Sequence, residues 1–155
     1  MIYSIGEKNM TRDILVRISG LQALDGESHD VEMITTGDYF LKNGKHYVIY
    51  DEIMEGFEGN VHNTIKITPE MMDIRKQGII GTHMVFEQGK RNQTRYATPL
   101  GDMVVELTTT RIHLDEQEDS LRVQVDYSLG LNYQHVSDCS IVIDICSRNK
   151  ARLQL

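Results

Sequence analysis

Residue types able to do chemistry are spread thinly through these 155 residues. The six histidines, His29, His46, His62, His83, His113 and His135, include no HxH or HExxH spacing that would set two ligands on one face. We read them as surface or rim residues, while noting that ligands from neighbouring strands could converge in space. His135-Val136-Ser137-Asp138 holds all three residue types of a hydrolase triad. A triad needs those groups converging from separate elements, so four consecutive residues read better as a hairpin turn. The acidic run Asp115–Asp119 lacks the spacing of a calcium loop. Gly56-Phe57-Glu58-Gly59 opens no helix and carries a carboxylate that would repel phosphate. No catalytic residue, no metal and no cofactor are therefore expected.

Polar residues at apolar positions are more informative. Asn63 shares a strand face with Val61, Ile65 and Ile67, and Thr82 shares one with Met84 and Phe86. A buried amide or hydroxyl there must find a partner, in a neighbouring strand, a water or a ligand. Tyr39, Tyr47, Tyr50, Tyr96 and Tyr127 are able to line a cavity with an apolar body and a polar tip, or simply to fill the core. Lys66 and Arg75 fall on adjacent predicted strands. On one face they would hold a carboxylate or phosphate, with Arg75 supplying a bidentate fork; otherwise they pair with Glu32 or Glu106. The candidate ligand-binding set is thus Arg75, Tyr96, Tyr39, Tyr50 and Lys66. Within it Arg75 and Tyr96 are expected to converge, because their segments lie beside the breaks at Gly78 and Pro99.

The elements that must position these groups are strands. From Leu121 to His135 large apolar residues occupy the odd positions to Tyr133 and polar residues most of the even ones, the period of two that only a β-strand has. Straight, this run would reach roughly 50 Å at about 3.3 Å per residue, well beyond an ordinary strand. It must bend, and Gly130 is the natural place. Between Met103 and Leu114 the apolar parity switches from odd to even, which requires a bulge near Thr108–Thr110. Asn43-Gly44 is the strongest hairpin signal. Shorter strands are predicted near 14–21, 31–42, 45–51, 61–68, 71–77, 79–87, 94–98 and 139–146, with 52–60 an acidic loop and no helical stripe. Nine or ten such segments joined by short loops describe one all-β domain over 1–155, its core within about 13–146 and its termini peripheral. We expect an antiparallel, mainly up-and-down β-barrel of eight to ten strands.

The net charge of −7 argues against nucleic acid and anionic membrane surfaces as partners. No apolar run is long enough for a signal peptide or a membrane span, so a cytoplasmic location is expected. Cys139 and Cys146 sit on opposite faces of one predicted strand, about 23 Å apart at strand rise, too far for a disulfide.

Thr35-Thr36-Gly37-Asp38-Tyr39-Phe40-Leu41-Lys42, Tyr47-Val48-Ile49-Tyr50-Asp51-Glu52, Thr64-Ile65-Lys66-Ile67, Ile74-Arg75-Lys76-Gln77-Gly78, Met84-Val85-Phe86 and Tyr96-Ala97-Thr98-Pro99-Leu100-Gly101 follow one another in an order and spacing that resembles the bacterial YwiB-like family, a domain of unknown function. The resemblance spans residues 13–146 and implies a lipocalin-like barrel of the calycin type in the bacterial cytoplasm. It supplies no catalytic residue. The chain has no tryptophan and so cannot carry the Gly-x-Trp signature of true lipocalins. Two functions stay open: a non-enzymatic barrel holding a small apolar or amphipathic ligand, and a protein-interaction or homo-oligomerisation module without a small-molecule ligand.

Overall fold

Alternation of apolar and polar residues builds an almost continuous series of strands in a computed structural model, which describes residues 13–21, 31–53, 59–78, 81–98 and 101–148. Among these residues the strands are β1 (Asp13–Leu21), β2 (Val31–Lys42), β3 (Lys45–Ile53), β4 (Asn60–Thr68), β5 (Met71–Gly78), β6 (Thr82–Glu87), β7 (Arg91–Thr98), β8 (Gly101–Gln117), β9 (Ser120–Leu131) and β10 (Gln134–Ser147). They form one sheet in the order β6-β5-β4-β3-β2-β1-β10-β9-β8-β7. Every pairing is antiparallel. The first and last strands pair with each other in the middle of this order, so the two sheet edges are β6 and β7, which are consecutive in the chain and lie side by side. The result is an up-and-down barrel, closed except for a seam between β6 and β7.

The predicted bulge is present. Opposite β9 the register of β8 slips between Thr109 and Arg111, which carries the buried face from Leu107 and Thr109 to Ile112. A bulge frees backbone groups, and the turn after β6 takes them up. Gly89 N–H donates to the Thr109 carbonyl at 2.8 Å, Thr109 N–H to the Lys90 carbonyl at 3.0 Å, and Ile112 N–H to the Gln88 side-chain oxygen at 2.8 Å. The seam is therefore pinned shut at its 88–90 end, and a cleft lies toward the other.

The hairpin at Asn43-Gly44 has positive φ at both residues, 53° and 76°, the turn that matches strand twist. The long alternating run is not one strand. It breaks at Asn132 and Tyr133, both at positive φ (50° and 69°), where β9 turns into β10 and leaves Tyr133 70% exposed. Asn132 makes that turn tolerable by donating its N–H to the Val104 carbonyl at 2.8 Å and accepting the Val104 N–H at 3.0 Å. His135–Asp138 accordingly lies on β10, not in a turn. The acidic loop is shorter than expected, since β3 runs on through Glu52 to Ile53 and β4 begins at Asn60; residues 79–80 of the sixth predicted strand lie outside the described residues.

Inward side chains fill the barrel. Ile14, Val16, Val48, Ile65, Ile67, Met72, Phe86, Val123, Val125 and Ile143 are completely buried, and Phe86 meets Tyr127 edge to face with ring centroids 4.8 Å apart, worth about 1 kcal/mol beyond area burial. Outward faces carry Arg122, Gln124, Asp126, Asp144 and their like. A membrane barrel would reverse that arrangement, and no helix among the described residues is long and apolar enough to cross a membrane. Neither Cys139 nor Cys146 forms a disulfide with a described residue.

Candidate functional site

Strand register turns scattered anomalies into a single row. Tyr50 pairs with Asn63, Asn63 with Lys76, and Lys76 with Thr82, so β3, β4, β5 and β6 each place a polar inward residue at one level of the barrel. Tyr96 of β7 continues the row across the seam, its phenol next to Thr82. Gly37 of β2 begins it beside Tyr50, whose Cβ would stand 3.2 Å from any Cβ added there. Glu52, two residues after Tyr50 and on the same face, sits just above. Lys76 Nζ donates to Glu52 Oε1 at 2.6 Å, and Asn63 Nδ2 donates to the same oxygen at 2.8 Å and to the Val61 carbonyl at 3.3 Å. Both charges are about three-quarters shielded, with side-chain exposures of 28% and 25%, so losing either would strand the other at a cost well above that of a surface pair.

Two atoms of this row are left over. Asn63 is fully buried, and its Oδ1 accepts no hydrogen bond from the described residues. The Tyr96 hydroxyl is likewise buried and makes no well-formed hydrogen bond with them, the Thr82 side chain being near enough to act on it only as a weak hydrogen-bonding neighbour. Burial pushes the Tyr96 phenol above its ordinary range, an effect Thr82 partly opposes. Burial, with Glu52 nearby, pushes Tyr50 up further. Tyr127 is raised by burial first, then by Cys139 and Tyr96. All three phenols are thus held neutral, able to donate a proton to a hydrogen bond.

The wide end of the seam opens onto this row. A cleft of about 390 Å³ is lined by Arg75, Lys76 and Gln77 of β5, Gly81, Thr82 and His83 before and on β6, and Thr94, Arg95 and Tyr96 of β7. Its outer lip is basic. Arg75 is exposed and makes no hydrogen bond or ion pair with the described residues; Arg95 reaches Asp102 only at 3.7 Å; His83 lies 3.0 Å from both oxygens of Asp73. A second cleft of about 280 Å³ lies on the outer face of β8–β10, between Arg91, Glu106 and His135.

At the opposite mouth a different network closes the barrel. The Tyr39 hydroxyl and His46 Nδ1 are 2.7 Å apart, and His46 Nε2 is 2.7 Å from Glu116 Oε1. His46 is 7% exposed, a buried residue of the rim rather than of the surface. The tie joins β2 and β3 to β8 across the interior, residues far apart in sequence.

Of the five candidate residues, Arg75 and Tyr96 line the same cleft. Tyr50 belongs to the polar row, while Tyr39 is part of the core at the other mouth. Lys66 is on the outer face of β4, opposite Asp73 and Tyr47, away from both. Glu52 and Lys76 were missed. Their signal was present, since Val48-x-Tyr50-x-Glu52 and Met72-x-Ile74-x-Lys76 put a charge at the next inward position of an apolar series. The triad residue types do not assemble: Asp138 accepts from Ser128 at 2.7 Å and lies 3.0 Å from His135, whereas Ser137 contacts Cys139 at 3.2 Å. Asp138 is held below its usual range by those two hydrogen bonds, Ser128 first. No group of three or more His, Cys, Asp or Glu side chains that could hold a metal ion occurs among the described residues.

Comparison with known proteins agrees with this architecture. Residues 16–143 match the family described as "Domain of unknown function (DUF1934)". The "Uncharacterized beta-barrel protein YwiB" of Bacillus subtilis is 25% identical over 122 residues, which covers 77% of this chain and 84% of that protein. The crystal structure of the ywiB protein from Bacillus subtilis superposes with a TM-score of 0.71 at 22% identity, over 90% of this chain and 96% of that one. The chain belongs to the DUF1934 family.

Proposed function

We propose that this protein is a binding barrel that takes one small polar ligand at the wide end of the β6–β7 seam. The observation that carries this reading is the buried, unpartnered hydroxyl of Tyr96 in the cleft wall, with a second unpartnered buried atom, Asn63 Oδ1, on the strand next to the cleft's Lys76. Buried polar groups in folded proteins are nearly always hydrogen-bonded, so groups left over beside a cleft are poised for a ligand. A volume of about 390 Å³ is at the lower end of small-molecule sites. The packed interior favours the seam over the barrel centre: Ile65, Met72, Phe86 and Val125 leave the middle filled. We assign the barrel to the calycin type and the protein to the bacterial cytoplasm, a location supported by Cys139 and Cys146 not being in disulfides.

Native mass spectrometry of freshly purified protein tests the reading. We expect a one-to-one small-molecule adduct in the wild type that is lost in Tyr96→Phe; a bare mass in both, with no compound from a panel of small polar metabolites raising the melting temperature, would overturn it. A second reading, homo-oligomerisation, is favoured by the outer face of β2 and β3, where Ile34 is 56% and Phe40 38% exposed and Phe40 stacks on Tyr47 at 4.9 Å. The same spectrum reports subunit number.

A further inference from the structure

We propose that the ligand is a small organic anion, clamped by Arg75 and Arg95 from the two sides of the seam, an inference that rests on the seam being the ligand site. The protein as a whole is acidic, at −7, yet the cleft lip gathers Arg75, His83 and Arg95, with Lys76 directly beneath. The four basic side chains differ in how far they are already committed. Lys76 is neutralised by Glu52 at 2.6 Å. His83 lies against both carboxylate oxygens of Asp73 at 3.0 Å. Arg95 has only a loose partner at 3.7 Å, with both side chains more than half exposed, a pairing that contributes little. Arg75 has none among the described residues, although its register neighbours across the sheet are Thr64 and His83. Two guanidinium groups with planar forks unspent thus flank one cleft, and planar oxyanions are the ligands that fit such forks in pairs of hydrogen bonds.

The inner wall sets the remainder of the ligand. Tyr96 offers a neutral phenol, which both donates and accepts a hydrogen bond. A molecule that reaches this phenol from the lip carries its carboxylate or phosphate outward and a hydroxyl or amine inward. Apolar anions such as fatty acids lack the inward donor and would set a hydrocarbon tail against the Lys76–Glu52 pair. The class is therefore a compact hydroxylated or amino-bearing carboxylate or phosphate. The two oxyanions share the lip chemistry and are separated by the probe used.

The test is thermal unfolding and calorimetric titration of the full chain with citrate and with inorganic phosphate, each against sodium chloride at equal ionic strength. Variants are Arg75→Gln, Arg95→Gln and, as a control on the outer face, Lys66→Gln. We expect one of the two anions to raise the melting temperature in a saturable way, with affinity falling at least tenfold in Arg75→Gln and Arg95→Gln and unchanged in Lys66→Gln. Saturation by citrate alone assigns a carboxylate, and by phosphate alone a phosphate. Equal effects of all three salts, or equal losses in all three variants, would overturn the anion clamp, because screening of net charge does not distinguish these residues. A co-purified neutral adduct that survives Arg75→Gln but is lost in Tyr96→Phe would overturn the clamp while leaving the seam as ligand site. Absence of any saturable ligand, charged or neutral, would remove both.

Discussion

Replacing Tyr96 by Phe removes one oxygen and leaves the packing of the ring against the core intact. In the free protein that oxygen is buried and bonded to no described residue, and its ring packs against the hydrophobic cluster. A buried polar group without a partner costs about 1–3 kcal/mol relative to its hydrated state. Deleting it should return part of that, about 1 kcal/mol after allowing for the loose neighbourhood of Thr82. For a chain of this size about 1 kcal/mol corresponds to roughly 2–4 °C in Tm. Tyr96→Phe is therefore expected to be more stable than the wild type without ligand, by thermal and by urea unfolding, and less stabilised when ligand is added. The two effects have opposite signs and are read in one experiment. A Tyr96→Phe protein that loses 1 kcal/mol or more without ligand would show that the hydroxyl already has a partner in the free protein, and would refute the reasoning that makes it a ligand group.

Val125 is fully buried on β9 and Gln124 only partly, so Val125→Asp should fail to fold while Gln124→Asp stays within about 0.5 kcal/mol of wild type; equal losses would contradict the assigned faces. Gln88→Ala deprives Ile112 N–H of its acceptor and should cost about 1–2 kcal/mol, with faster amide exchange at Thr109 and Ile112 as the seam loosens; unchanged exchange would show that the bulge is satisfied otherwise. Cys139 is 7% exposed and should react with a thiol reagent more slowly than Cys146 in the folded protein. Tyr50 and Tyr127 have phenols raised by burial, so their contribution is present below the ordinary tyrosine pKa of about 10 and lost as pH rises from there toward the higher folded values. Stability measured from pH 8 to 11 should fall at the alkaline end, and fall less in Tyr50→Phe.

Much of the architecture could be read along the chain because strand alternation is local. Backbone geometry alone sends successive side chains to opposite faces, so Leu121, Val123, Val125, Tyr127 and Leu129 had to share one face, and the parity switch before Ile112 had to be a bulge. Asn43-Gly44 was legible for the same reason, since its two residues favour positive φ. Asn132-Tyr133 was not, because tyrosine rarely adopts that conformation and the turn is held by Val104, a contact from another strand. The inward polarity of Asn63 and Thr82 was visible too, as an anomaly without an explanation. Only the tertiary structure decided that Tyr50, Asn63, Lys76, Thr82 and Tyr96 stand at one level, that Arg75 and Arg95 line one cleft at the seam, and that His46 reaches Glu116. Those relations depend on register and on where the sheet fails to close. A shift of two residues in any pairing preserves every inward face while dismantling the row, so the alternation that fixes the faces leaves the level of each residue to the packing of the whole barrel.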